Sequence, residues 1–95
     1  MPILNFSYAN IKDHDKFQQY VKAAAPLMEK AGVEVVARGS YSSTMKGKEE
    51  NPHIAAVFRY PDLAAVERFY SSDQYKALIP LRDEACDMTI NLYEE

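Results

Sequence analysis

The chain of 95 residues contains few of the residues on which several classes of protein depend. It has one cysteine, three glycines, two histidines and no tryptophan. One cysteine cannot form an internal disulfide, and so few glycines leave no glycine-rich loop for a phosphate or dinucleotide. Two histidines without clustered acids or cysteines do not indicate a metal site. We therefore expect no metal and no other cofactor.

Long apolar runs and concentrated charge of one sign are also missing. No apolar run approaches the ~20 residues of a membrane helix, and the stretch "MPILNFSYAN" lacks the basic start and apolar run of a signal peptide. The net charge is −3 and the basic residues are scattered, which argues against nucleic acid and anionic membranes as partners. These features predict a cytoplasmic protein with a single domain over residues 1–95.

The hydrophobic periodicity predicts strands and helices in the order β-α-β-β-α-β. Strands are expected over 3–9, 33–39, 54–60 and 87–95, and helices over 12–32, 61–72 and from the capping box Ser71–Gln74 onward. This is the order of an α+β ferredoxin-like fold, a four-stranded antiparallel sheet with its helices on one face. Pro26 is expected to kink or divide the first helix. The polar segment 40–53 predicts an extended hairpin or a flap, mobile or reaching a partner subunit.

Each predicted strand has two faces, and we assign the more apolar face to the helices. Those faces are Leu4, Phe6 and Tyr8; Val33, Val35 and Ala37; Ile54, Ala56 and Phe58; and Met88, Ile90 and Leu92. The opposite faces are neither polar enough for open water nor apolar enough for a dry core, which favours covering by a second sheet. A face-to-face homodimer is the simplest cover.

The segment "FYSSDQYKALIPLRDEA" resembles the signature of the domain-of-unknown-function thirteen-thirty family. The matching positions are Tyr20, Pro26, Gly32, Arg38, Gly39, Gly47, Tyr70, Ser72, Tyr75, Pro80, Leu81 and Arg82. The likeness covers nearly the whole chain. It implies a dimeric α+β barrel, a group whose other branches include small monooxygenases, lactone isomerases and haem-degrading enzymes. The family itself carries no agreed activity, so the resemblance implies a fold and not a substrate.

Arg82 occupies a helical stripe that is otherwise apolar. A buried guanidinium requires a partner, because burying it unpaired costs several kcal/mol. One interpretation is a salt bridge to Asp73, to Glu67 or to Asp83 of a partner subunit. The other is a bidentate clamp on the carboxylate or phosphate of a substrate. In either case we expect the guanidinium to reach a tyrosine hydroxyl and a carboxylate.

Tyrosines, a second arginine and a histidine complete the candidate site. Tyr8, Tyr20, Tyr70 and Tyr75 fall on faces that we assign to the interior, either with their hydroxyls lining a pocket or as core rings. Arg38 is expected on the dimer face, in an ion pair or as part of an anion site. His14, at a helix start, is either solvated or a general base.

The sequence leaves two classes of function open. The first is a cofactor-free enzyme for a small carboxylate-bearing or aromatic molecule, and the second is a non-catalytic ligand-binding or dimeric interaction module. The candidate catalytic residues are His14, Tyr70 and Arg82. The candidate ligand-binding residues are Tyr8, Arg38, Tyr70, Tyr75 and Arg82.

Overall fold

The computed structural model describes residues 1–48 and 52–95. The strands are β1 (Ile3–Ile11), β2 (Glu34–Ser40), β3 (Ile54–Tyr60) and β4 (Cys86–Glu94), and the helices are α1 (His14–Lys30), α2 (Leu63–Ser71), α3 (Asp73–Lys76) and α4 (Ile79–Ala85). Residues 49–51 of the predicted excursion lie outside the described residues, so its role stays a prediction.

The four strands form one antiparallel sheet in the order β2-β3-β1-β4. This is the ferredoxin-like arrangement, and the predicted fold class is confirmed. The chain measures only 16 Å along its shortest axis, the thickness of one sheet and one helical layer. The other face of the sheet is therefore not covered by any described element of the same chain.

Three side chains set the beginnings of helices, as the sequence predicts for two of them. Asp13 accepts a hydrogen bond from the Lys16 amide, and Asp62 accepts one from the Ala65 amide. The predicted capping box at Ser71 is wrong by one residue. Ser72 has extended backbone and accepts from the Tyr75 amide, whereas Ser71 is still in α2.

Pro26 lies inside α1 without dividing it. A proline removes one backbone hydrogen bond of a helix, and the sequence therefore predicts a kink or a break. The helix continues without interruption to Lys30, so the predicted division is wrong, and the kink stays a prediction. It ends where Gly32 adopts a φ of 72°, a conformation that glycine tolerates best.

The face of β1 that meets the helices is the opposite of the predicted one. Ile3 and Asn5 are buried, with exposed fractions of 6% and 0%, and Asn5 pairs with Phe58 on β3. Because side chains alternate along a strand, Phe6 and Tyr8 lie on the far side. Choosing the face with more apolar residues gives the wrong answer here, because the buried Asn5 is stabilised by side-chain hydrogen bonds.

A bulge in β2 moves Arg38 away from its predicted face. Val35 pairs with Phe58, but Ala37 then pairs with Val57 and Arg38 with Ala56. The extra residue reverses the alternation, so Arg38 faces the helices instead of the predicted dimer face. Ala37 moves to the far side in exchange.

The far side of the sheet, which we call the outer face, has an apolar centre bordered by polar and charged residues such as Arg59 and Asn91. Its apolar members are Leu4, Phe6, Tyr8, Ala37, Val57 and Tyr93. The rings of Phe6 and Tyr93 meet edge to face, with their centroids 5.1 Å apart. Tyr93 is nevertheless 56% exposed, so the outer face presents aromatic surface to the solvent.

Candidate functional site

A large cleft opens between α1 and the half of the sheet formed by β2 and β3. Helix α1 packs against α3 and α4, which lie over the other half of the sheet, and every residue of β2 is exposed. The space left beneath α1 has a volume of about 1520 Å³. That is more than the roughly 300–1,000 Å³ of a drug-sized ligand pocket, because the cleft is open along one side.

Charge is confined to the rim of the cleft. Among the described residues, the acidic, basic and histidine side chains that line it are His14, Asp15, Lys22, Glu29 and Arg38, and all of them are exposed. The buried and half-buried lining is uncharged and consists mainly of Ala9, Phe17, Tyr20, Ala24, Met28, Val33, Ile54, Ala56, Phe58, Tyr70 and Met88. A bound molecule would thus meet apolar groups and hydroxyls inside and ionic groups outside.

The first of two hydroxyl networks, which we call the cleft network, consists of Ser7, Asn5 and Tyr70. The Ser7 hydroxyl donates to Oδ1 of Asn5 at 2.5 Å, and Nδ2 of Asn5 donates to the Tyr70 hydroxyl at 2.8 Å. Ser7 and Tyr70 both line the cleft, while Asn5 lies fully buried behind them. The amide holds the two hydroxyls in place.

The second network, which we call the core network, runs from Tyr20 through Tyr75 to Arg82. The hydroxyls of Tyr20 and Tyr75 are 2.8 Å apart, and an Nη of Arg82 donates to the Tyr75 hydroxyl at 3.1 Å. The Nε of Arg82 donates to Asp83 at 3.0 Å. Arg82 therefore reaches a tyrosine hydroxyl and a carboxylate, as predicted, and the carboxylate belongs to the neighbouring residue of the same chain instead of to Asp73 or Glu67.

Burial keeps the hydroxyls around both networks protonated. Burial, together with the nearby Tyr75, raises the pKa of Tyr20, and burial with the nearby Tyr70 raises that of Tyr60. Burial also raises the pKa of Tyr70. The Tyr60 hydroxyl is buried without a hydrogen-bond partner among the described residues. None of these three tyrosines is set up to lose its proton at neutral pH.

The structure brings together some of the predicted site residues and separates others. Arg38, His14 and Tyr70 line the cleft. Tyr75 and Arg82 do not line it; their contacts are those of the core network. Tyr8 belongs by register to the outer face, so its predicted inward orientation is wrong, but it also borders the cleft, and its predicted role in ligand binding stays a prediction.

Two residues of the cleft network have a role that the sequence analysis misses. Asn5 and Ser7 lie on the face assigned there to the dimer, because the alternation of β1 shows which residues share a face but not which face the helices cover. A buried asparagine that satisfies two hydroxyls is the kind of polar group that rigidifies a site. The position of Asn5 opposite Phe58 follows only from the pairing register of β1 and β3.

Other chemistry-bearing groups do not assemble into a site. Cys86 is buried, and burial raises the pKa of its thiol, which makes it a poor nucleophile. Within residues 1–48 and 52–95, no three histidine, cysteine or acidic side chains come together as metal ligands. The helices of these same residues are all too short or too polar to cross a membrane.

The sequence of residues 4–95 matches the model of a family described as "Domain of unknown function (DUF1330)". The chain belongs to the DUF1330 family. The predicted resemblance is thereby confirmed. A comparison with curated proteins found no match.

Solved structures share the fold of this DUF1330 chain at low sequence identity. A protein of unknown function from Rhodopseudomonas palustris superposes with a TM-score of 0.89 at 18% identity, over 99% of this chain and 82% of its own. A dimeric ferredoxin-like protein of unknown function from Jannaschia sp. CCS1 gives 0.76 at 9% identity, over 100% of both chains. A cofactor-independent oxygenase from Streptomyces nogalater gives 0.71 at 8% identity, over 99% of this chain and 92% of its own.

Proposed function

We propose that this DUF1330 protein binds a small carboxylate-bearing or aromatic molecule in the cleft and acts on it without a cofactor. The observation that carries the proposal is the division of the cleft into an apolar, hydroxyl-bearing interior and a charged rim. An aromatic body fits the interior, and a carboxylate fits the rim beside Arg38, where its charge stays solvated. A similar fold serves cofactor-independent oxygenation in the Streptomyces nogalater protein.

Two candidate acid–base groups border the same space. His14 is at the rim and Tyr70 is inside, so a ligand that spans the cleft would lie between them. Histidine is the side chain whose ordinary pKa suits proton transfer near neutral pH. Arg82 remains a candidate through its link to Tyr75 and Tyr20, the last of which lines the cleft.

Binding in the cleft is testable by NMR titration with 4-hydroxybenzoate, which carries both an aromatic ring and a carboxylate. Amide shifts should change along α1, β2 and β3. Ala56→Leu places a larger side chain on the floor of the cleft and should weaken binding at least about tenfold. Ala64→Leu makes the same change on an exposed position of α2 and should leave binding unaltered. Shift changes confined to other surfaces would contradict the proposal.

A non-catalytic binding module is the second candidate. It is favoured by the raised pKa values of Tyr20 and Tyr70, since interior hydroxyls that keep their protons orient a ligand better than they accept its protons. Incubation of the protein with a bound aromatic acid, followed by mass spectrometry, separates the two candidates. A product whose formation slows in His14→Gln supports the enzyme, and unchanged ligand after saturation supports the module.

The homodimer is the second part of the proposal. The outer face exposes Tyr93 and carries Phe6 and Val57 in the apolar group at its centre, which a second sheet would remove from water. The Jannaschia neighbour is described as dimeric. Sedimentation should give about twice the 10.8 kDa of one chain. Val57→Glu should produce monomers, whereas Leu63→Glu, at the exposed first residue of α2, should not. A monomeric parent protein would refute the dimer.

A further inference from the structure

The hydrogen bonds of the cleft network have a fixed direction, which makes its two hydroxyls chemically opposite. Ser7 donates its only proton to Asn5, so its oxygen presents free lone pairs to the cleft. Tyr70 accepts from Asn5, so its own proton remains available. Among residues 1–48 and 52–95 no hydrogen bond uses that proton, and the buried Tyr60 hydroxyl, which lies close enough to affect the pKa of Tyr70, is the protein group with which a ligand would compete for it.

The interior of the cleft cannot hold an ionic group without a large cost. Of the described residues that line it, the charged ones are all exposed and the buried ones are apolar or bear hydroxyls. An ion placed beside Tyr70 would lose its hydration, and the nearest cationic group that acts on Tyr70, Arg82, is already bound to Asp83 and Tyr75. The part of a ligand that reaches the cleft network must therefore be neutral.

We propose that the inner end of the cleft recognises a hydroxy-carbonyl unit, with Tyr70 donating to the carbonyl oxygen, Ser7 accepting from the hydroxyl, and Asn5 positioning both. This inference rests on the proposed binding function and names the substrate class that it serves. A carbonyl beside a hydroxyl supplies one acceptor and one donor, which is the complement of what Tyr70 and Ser7 present. Asn5 never touches the ligand and acts by fixing which hydroxyl donates.

Three neutral probes of similar size separate the two hydrogen bonds. Ethylbenzene offers neither, acetophenone offers the acceptor, and 2-hydroxyacetophenone offers the acceptor and the donor. Affinity, measured by NMR titration, should rise in that order by about three- to tenfold per step, as expected of one hydrogen bond to a buried group.

Single-atom variants assign each step to its residue. Tyr70→Phe should reduce acetophenone to the affinity of ethylbenzene. Ser7→Ala should reduce 2-hydroxyacetophenone to the affinity of acetophenone and leave acetophenone itself unchanged. Tyr41→Phe, which removes an exposed hydroxyl bonded only to Thr44 among the described residues, is the matched control and should change neither.

The positioning role of Asn5 has a separate signature. In Asn5→Asp, measured at a pH high enough to ionise the buried carboxyl group, the carboxylate accepts from both hydroxyls, so Tyr70 uses its proton inside the network and presents lone pairs to the cleft. Acetophenone should then bind no better than ethylbenzene although the Tyr70 hydroxyl is still present. If Asn5→Asp does not fold, Tyr70→Phe and Ser7→Ala still decide the proposal.

The possible results separate the hydroxy-carbonyl assignment from the proposed binding function on which it rests. Equal affinity for all three probes, or an unaltered ranking in Tyr70→Phe, overturns the hydroxy-carbonyl assignment. Binding of 4-hydroxybenzoate without binding of the neutral ketones does the same and leaves the proposed function standing. No binding of any probe, 4-hydroxybenzoate included, overturns both.

Discussion

The core network and the cleft network are both built from hydroxyl groups, but they differ in what lies at their ends. In the core network each hydroxyl meets a protein group, and the chain of bonds ends at the exposed carboxylate of Asp83. In the cleft network the bonds end at Ser7 and Tyr70, which border open space. A closed network contributes to folding, and an open one leaves bonding capacity for a ligand. The position of Arg82 in the closed network favours the structural interpretation of this arginine.

The largest expected effects come from replacing one tyrosine of each network, Tyr75 or Tyr70, with alanine. Tyr75 is 1% exposed and packs against the rings of Tyr20, Phe69 and Tyr70. Tyr75→Ala should lower the free energy of unfolding by about 3–5 kcal/mol, as is typical of a buried aromatic ring. Tyr70→Ala should cost less, because that ring already borders the cleft, but should abolish ligand binding. Urea unfolding and NMR titration measure the two effects; equal losses of stability would contradict the contrast.

Removal of Arg82 is the next largest test. Its partner Asp83 is exposed, so Arg82→Met strands no buried charge; it removes a hydrogen bond from the buried Tyr75 hydroxyl. The free energy of unfolding should therefore fall by about 1–3 kcal/mol. Affinity for 4-hydroxybenzoate should stay the same. The exposed Arg68→Met is the control and should alter neither; lost binding with an unchanged melting temperature would instead identify Arg82 as the clamp.

The smallest expected effect is a change in alkaline stability. The ordinary pKa of a tyrosine is 10.0, and burial raises that of Tyr20 in the folded state. The folded chain thus keeps a proton that the unfolded chain loses, so the stability contributed by Tyr20 is complete below pH 10 and falls as the pH rises further. Tyr20→Phe should remove about 1 kcal/mol of the stability lost between pH 10 and 11, since the limiting slope of about 1.4 kcal/mol per pH unit is reached only above that range, as measured by urea unfolding. The same slope in Tyr20→Phe and the parent would show that Tyr20 titrates normally.

The sequence predicts the fold well because local signals and the global order agree. The alternation of side chains predicts all four strands to within two residues of their observed bounds. Asp13 and Asp62 correctly predict where two helices begin. Arg82 also finds the two kinds of partner that its apolar stripe predicts. These features depend on residues close together in the chain or on one element.

The site was harder to predict because it depends on which side of each strand faces the helices. Both faces of β1 carry apolar residues, so counting them favours Phe6 over the buried Asn5. The bulge before Ala37 leaves no mark in the hydrophobic pattern, yet it determines the side on which Arg38 lies. The role of Asn5 depends on its hydrogen bond to Tyr70, which is 65 residues away in the chain. No local rule links such residues.

The bulge in β2 also bears on how the family can vary in length. One residue, Val36, is accommodated without a partner on β3. A relative that lacks this residue would keep its arginine on the cleft side through regular pairing. A relative that gains or loses one residue between Arg38 and Ser40 would shift the pairing beyond it instead. Loss of residue 36 therefore leaves the orientation of Arg38 unchanged, whereas a change of length three residues later alters which side chains at the end of β2 face the cleft.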